Sequence, residues 1–207
     1  MIIALEGVEA TGKSTVCELL TRGLVGTPRW RIYRALRLGD KWEVGEQDQW
    51  HDAGVPANTF VEDIFAIDFV KQSGADNLIF NRSLPSGIVY DEPMWLANGA
   101  LSPRAVKLIH WWAEIMQEVQ GLLVYLHGDL PWIQGELEDH GRDISLETLE
   151  KRDDRFRQVF NVCEMAGLKV FRQDTSVEDF ITVASRIGMK FAGGWQEPLP
   201  LGDDWRR

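Results

Sequence analysis

One eight-residue stretch limits what this chain can fold into: Gly7-Val8-Glu9-Ala10-Thr11-Gly12-Lys13-Ser14 fits the pattern G-x-x-x-x-G-K-[ST]. Before it lies Met1 to Glu6, an apolar run of the kind buried on both faces of a sheet. After it, Val16, Leu19, Leu20 and Leu24 recur at helical spacing. Strand, glycine-rich turn and helix thus follow in the order the pattern requires. Glycines let the backbone close around an anion, successive N–H groups point inward, and the helix N-terminus adds unsatisfied donors and a favourable dipole. Gly7, Ala10, Thr11, Gly12, Lys13, Ser14 and Thr15 are therefore the candidate cradle for a phosphate chain. Within it Lys13 can reach the terminal phosphates, and the Ser14 hydroxyl can ligate Mg²⁺.

The remainder of the chain repeats the alternation. Four further short runs rich in β-formers, Trp30 to Leu36, Asn77 to Ser83, Gly121 to His127 and Leu168 to Asp174, are separated by helix-length segments. This predicts an α/β fold, a five-stranded parallel sheet with helices on both faces. The clearest helix begins at Ser102-Pro103, a cap followed by a first-turn proline, and carries Ala105, Leu108, Ile109, Trp112, Ile115, Met116 and Val119 on one stripe that Gly121 ends. Residues 60–72 and 147–166 also read as helices, and a last one follows a cap at Thr175 or Ser176. The predicted domain spans 1–192, with 193–207 a loosely attached tail of Gly, Pro and like charges in which Trp195 and Trp205 are possible anchors. Trp111 and Trp112 read as core packing rather than ligand stacking.

Composition removes several classes. Thirty-two acidic against twenty-two basic residues give a formal charge of −10, the wrong sign for coating polymeric nucleic acid or an anionic membrane, so any anionic ligand needs a local site. No apolar run approaches the roughly 20 residues that span a bilayer, and the first residues lack the basic start of a signal peptide, which makes the cytoplasm the expected location. Cys17 and Cys163 lie far apart in helical stretches and read as reduced, buried thiols. His51, His110, His127 and His140 lack the i, i+4 pairing of a zinc site, so a metal should arrive with a nucleotide.

A phosphate cradle leaves the reaction open. The D-x-x-G and N-K-x-D of a switch GTPase are absent, and the small size favours a kinase over a motor or helicase. LEGVEATGKST at 5–15 resembles the loop of thymidylate kinases, written EG-x-[DE]-G-x-GK-[ST]-T. Asn81-Arg82-Ser83-Leu84-Pro85-Ser86-Gly87-Ile88-Val89-Tyr90 is similar to that family's DR-[YH]-x-x-S-x-x-A-[YF] segment. Phe65-Ala66-Ile67-Asp68 resembles its LFAADR, LLVYLHGD at 122–129 its fourth strand, and Gly141-Arg142-Asp143 stands in the place of its lid, about 130–150. The resemblance covers most of 1–175 and identifies the chain as a divergent thymidylate kinase-like nucleoside monophosphate kinase of the P-loop NTPase fold, using ATP and Mg²⁺ on small nucleotide substrates. A homodimer is implied by the resemblance alone.

The same resemblance implies residue roles. Arg82 would clamp the acceptor phosphate, a task for which a planar guanidinium fork suits better than lysine. Glu9 would accept from the sugar 3′-hydroxyl, Tyr90 would crowd C2′, Ser86 would line the acceptor site, and Phe65 would stack on the base, although Phe65 also fits an apolar stripe with Val61 and Ile64. Arg142 would close over the transferred group, among Arg152, Arg155 and Arg157 in a charged stretch that also fits a solvated helix face. Arg34 and Arg37 leave the second strand and could meet the acceptor phosphate, but the family's R-E-P-G-G is missing.

Two departures matter more. Asn81 stands where the family has an aspartate, and Phe69 where its helix has a base-reading arginine, so thymine specificity is open. The reading is phosphorylation of a (deoxy)nucleoside 5′-monophosphate, dTMP or another. Two alternatives remain: a deoxynucleoside kinase, with Glu6 as its hydroxyl base, or a nucleotide-binding protein that has lost catalysis.

Overall fold

Successive residues of β1 (Ile2–Glu6) point into two different cores, and this sets the layering. Ile2 and Ala4 join one buried cluster, Ile3 and Leu5 the other. The computed structural model describes residues 2–23, 29–34, 55–73 and 76–192. After β1 come α1 (Lys13–Gly23), β2 (Arg29–Arg34), α2 (Val55–Ser73), β3 (Asp76–Asn81), α3 (Leu84–Tyr90) and a 3₁₀ turn at Glu92–Met94. They are followed by α4 (Pro103–Glu118), β4 (Leu122–His127), α5 (Leu130–Asp139), α6 (Leu146–Met165), β5 (Lys169–Asp174) and α7 (Phe180–Ala192).

The strands pair in parallel in the order β2-β3-β1-β4-β5. α1 and α7 cover one face through Val16, Leu20, Val183 and Ile187. The other face is covered by α2 to α6, through Ile67, Ile88, Trp112, Ile133 and Phe156 among others. β1 sits in the middle, flanked by β3 and β4, so the loops leaving their C-terminal ends lie side by side, along the edge at which open parallel sheets bind ligands. No helix among the described residues is long and apolar enough to cross a membrane.

Two helices were not expected. α3 and α5 are short and led by proline at their first turn, and α5 is capped by Asp129, which accepts from Trp132 N–H at 3.2 Å. α5 and the start of α6 thus fill most of 130–150, leaving 140–145 as the non-helical part of the expected lid. The cap of α7 is also corrected. Asp179 accepts from Thr182 N–H at 2.9 Å, whereas Thr175 donates to His127 O at 3.0 Å and Ser176 turns back on Asp174. Trp112 is core, but Trp111 remains 46% exposed, with Lys107 over its ring. Cys17 and Cys163 are both buried, and neither is in a disulfide. The tail 193–207 lies outside the described residues.

One acid interrupts the core face of α2. Asp63 is fully buried among Ile67 and Val70, and its Oδ2 accepts from Leu84 N–H at 2.8 Å and from Trp112 Nε1 at 2.9 Å, tying α2 to α3 and α4. Burial pushes its carboxyl well above the usual range. The folded chain therefore holds a proton that the unfolded chain releases above the ordinary aspartate range, and this group lowers stability as pH rises toward its folded pKa. Asp63→Asn keeps an acceptor for both donors without that penalty. Urea unfolding between pH 5 and pH 8 is expected to show the variant gaining on the parent as pH rises, and parallel curves would contradict the assignment. Asp63→Ala strands both donors and is expected to cost about 2–5 kcal/mol.

Candidate functional site

The loop after β1 has the backbone its sequence requires. Gly7 at φ +145° and Gly12 at φ +75° occupy conformations open to glycine, and Ala10 at φ +56° joins them. A Cβ on Gly7 would lie 2.1 Å from Leu126 O, and one on Gly12 would lie 2.2 Å from the Phe180 ring, so both glycines are also required by packing. Thr11 Oγ1 donates to Val8 O at 3.0 Å, and Val16 N–H closes the first turn of α1 onto Gly12 O at 2.9 Å. The Lys13 ammonium is folded over the loop, donating to Gly7 O at 3.0 Å, to Val8 O and to Thr11 Oγ1 at 3.1 Å. Burial, joined by the nearby Arg82, pushes it well below the ordinary lysine range. Ser14 is exposed at the loop's end and accepts from Asn81 Nδ2 at 3.0 Å, and Thr15 follows it on α1.

Opposite this loop, the segment after β3 carries a second cluster. Arg82 Nη1 donates to Tyr90 OH at 3.1 Å and to Ser86 Oγ at 3.3 Å, with the guanidinium carbon 5.1 Å from the Tyr90 ring centre. Arg152 reaches the same ring from α6, at 5.2 Å, and donates to Glu9 Oε1 at 3.0 Å. Both guanidiniums therefore meet on one tyrosine, against the carboxylate of the glycine-rich loop. Burial pushes the Glu9 carboxyl upward, but Arg82, Arg152 and Lys13 together outweigh it and hold the group below its ordinary range. Its second oxygen, Oε2, is buried and has no hydrogen-bond partner among the described residues. α6 is itself clamped to this region by Arg155, whose fork holds Glu92 at 2.6 and 2.9 Å and donates to Val89 O at 3.2 Å.

Beneath Arg82 lies Glu6, with no exposed surface. Its Oε1 accepts from Ser83 N–H at 2.5 Å and from Ser83 Oγ at 2.6 Å, and its Oε2 accepts from the Ser86 hydroxyl. This overturns Glu6 as the base of a nucleoside kinase, because both oxygens face inward and are taken.

The structure thus brings together Glu9, Lys13, Arg82, Ser86 and Tyr90 from the expected set, with Gly7, Ala10, Thr11, Gly12, Ser14 and Thr15 framing the loop. It does not bring Arg142 to them. That residue is exposed in the segment between α5 and α6, whereas Arg152, three residues before the anchored Arg155, reaches the cluster. Phe65 and Phe69 are 71% and 59% exposed on the side of α2 away from Asp63 and Ile67, so the core-stripe alternative for Phe65 is corrected. Arg37 lies outside the described residues, as does the Arg34 side chain. Reading the sequence missed Asp63, whose only signal was a charge on an otherwise apolar helix face, and undervalued Arg152, whose i, i+3 spacing with Arg155 was visible.

No protein-family model matches the chain, and comparison with curated proteins finds no match. Solved structures do resemble it. The YorR protein of Bacillus subtilis, solved in complex with phosphorylated GDP, superposes with a TM-score of 0.60 at 23% identity, over 90% of this chain and 93% of that one. Deoxyadenosine kinase from M. mycoides with bound dATP gives 0.55 at 18% identity, over 92% and 98%. The same enzyme with dCMP and a flexible dCDP gives 0.51 at 18%, over 92% and 97%. What these proteins share with this chain is the α/β fold.

Proposed function

We propose that the chain transfers the γ-phosphoryl group of ATP to a nucleoside 5′-monophosphate, with deoxynucleotides as the acceptors. One observation carries this reading: in a protein of charge −10, Arg82 and Arg152 converge on the Tyr90 ring beside Lys13, with Glu9 as the carboxylate paired to Arg152. Such a local excess of cations suits two phosphate groups brought together. In the reaction an acceptor phosphate oxygen attacks the γ-phosphorus in line, the bond to the β–γ bridging oxygen breaks, and ADP leaves with a nucleoside diphosphate. The loop N–H groups and Lys13 hold the donor phosphates. Arg82, with Ser86 beside it, clamps the acceptor phosphate, and Arg152, moving from Glu9, neutralises charge on the transferred group, a role to which Arg142 adds if its segment closes.

The positive φ of Gly7, Ala10 and Gly12 supports ATP as the donor, since turns of this kind can point successive N–H groups at phosphates. Ser14 would hold Mg²⁺ through its hydroxyl oxygen, which here accepts from the uncharged Asn81 amide; when bound, the ion would neutralise phosphate oxygens. In this reading the buried, unpartnered Glu9 Oε2 accepts from a sugar hydroxyl, and Tyr90 crowds C2′. Phe65 is kept in this reading as the ring that would stack on a base, with Phe69 one turn further along the same exposed side of α2. An apolar wall separates bases by only ~10–200-fold, whereas a hydrogen-bonding site reaches ~10⁴. The parent is thus expected to use dTMP and at least one other deoxynucleoside monophosphate, and Phe69→Arg to narrow that range toward dTMP. kcat/KM across the monophosphates checks this, and a parent preference for one base above ~10⁴ would contradict it.

The likeness to deoxyadenosine kinase favours a second reading, with a nucleoside as acceptor. That chemistry needs a carboxylate base at the 5′-hydroxyl. Among the described residues Glu6 and Asp63 are buried with their oxygens turned inward, so within the cluster that base would have to be Glu9, released from Arg152. Steady-state kinetics on each monophosphate and its nucleoside separates the two: monophosphates are expected to win by ~10³ or more, and the reverse order would install the nucleoside kinase.

A further inference from the structure

Arg82 sits at φ +74°, a conformation in which an L side chain is strained, so its neighbours must hold it there. On one side the Arg82 N–H continues the sheet by donating to Leu5 O at 3.1 Å. On the other, the next N–H, that of Ser83, ends on Glu6 Oε1 at 2.5 Å, and the Ser83 hydroxyl ends on the same oxygen at 2.6 Å. The second Glu6 oxygen takes the Ser86 hydroxyl, whose oxygen accepts from Arg82 Nη1 at 3.3 Å. One carboxylate therefore secures both the backbone beside Arg82 and the far end of its guanidinium. Ser83 makes no side-chain cap on α3, since its hydroxyl is committed to Glu6.

We infer that Glu6 is the positioning residue of the acceptor site: from the end of β1 it fixes Ser83 and Ser86 around Arg82, holds that residue's left-handed backbone, and aims its guanidinium at the acceptor phosphate. This rests on the function proposed above. Glu6 touches no substrate and acts only through Arg82. Asp63 completes the arrangement by taking the following N–H, that of Leu84, so two consecutive backbone donors end on acids from β1 and α2. The anchoring explains why a buried acid stands directly before the phosphate loop. It registers the acceptor-binding segment to the same strand that carries the donor cradle, fixing the distance between the two phosphates.

Glu6→Gln is the direct test. The amide keeps one acceptor for Ser83 but presents an N–H₂ group to Ser86, reversing the hydroxyl on which Arg82 leans. A crystal structure of the variant is expected to show Arg82 detached from Ser86 or moved out of the left-handed region. Calorimetric affinity for deoxynucleoside monophosphates is expected to fall about 10- to 10²-fold, while that for a non-hydrolysable ATP analogue stays within about 3-fold. General destabilisation would weaken both ligands together. Ser83→Ala, which removes one of the three donors, is expected to act in the same direction more weakly, and serves if Glu6→Gln fails to fold. Arg82 unmoved in the variant structure, or equal losses for both ligands, would overturn the inference. Should the parent bind no monophosphate, the proposed acceptor falls, while the conformation of Arg82 in the variant still decides the role of Glu6.

Discussion

Lys13→Ala is expected to lower phosphoryl transfer by ~10²–10³-fold or more, the scale for removing one preorganised charge from a transition state that accumulates negative charge. The side chain is 6% exposed and rests on Gly7 O, Val8 O and Thr11 Oγ1, so its ammonium lies within the loop, at the place where donor phosphates would enter. Removing it also frees those three acceptors, at about 1 kcal/mol each, so thermal unfolding should fall by roughly 6–12 °C while the variant still folds. The loop frame itself is made by Gly12, Thr11 and Val16 and survives. Steady-state turnover beside calorimetric unfolding checks this. Undiminished turnover in a folded variant would remove Lys13 from the chemistry.

Arg82→Ala is expected to reduce kcat/KM for the acceptor by ~10³-fold, with KM for ATP within about 3-fold of the parent. Arg82 is half-buried against Tyr90 and Ser86, and a charge-assisted bond in such a place is worth more than one at the open surface. Lysine should not rescue it, since an ammonium cannot keep Ser86, Tyr90 and a phosphate in one planar fork. Arg82→Gly separates strain from charge. Like alanine it loses the guanidinium, but it accepts φ +74° freely and should be more stable than Arg82→Ala by about 1 kcal/mol. Equal losses for ATP and acceptor would place Arg82 elsewhere in the site.

What the sequence made legible was whatever is written in period and punctuation. The apolar run before Gly7 is β1, and the turn and α1 follow because glycine spacing and the Val16, Leu19, Leu20 stripe are local signals. α4 was readable from Ser102 and Pro103, and the cap is made, with Ser102 Oγ accepting from Ala105 N–H at 3.2 Å. α3 and α5 were not readable as helices, being 7 and 10 residues long, too short to show a stripe. Long-range contacts were the other blind spot. That a glutamate beside the glycine-rich loop faces inward onto Ser83 and Ser86, rather than outward as a base, depends on β3 lying next to β1. Likewise the choice between Arg142 and Arg152 turned on which one α6 lays against Tyr90, and no local pattern encodes that. Phe65 looked equally fit for a core or a pocket, and its exposure removes the core.

The central claim is that Arg82 and Arg152 flank an acceptor phosphate facing the Lys13 loop. Tracing the γ-phosphoryl group tests it most directly: the protein, Mg²⁺, γ-labelled ATP and each deoxynucleoside monophosphate in turn, with products separated by chromatography. The account predicts label in the β-phosphate of a nucleoside diphosphate, in amounts that fall with Arg82→Ala and Arg152→Ala. Label found only as inorganic phosphate, or transferred to a free nucleoside and never to its monophosphate, would contradict it.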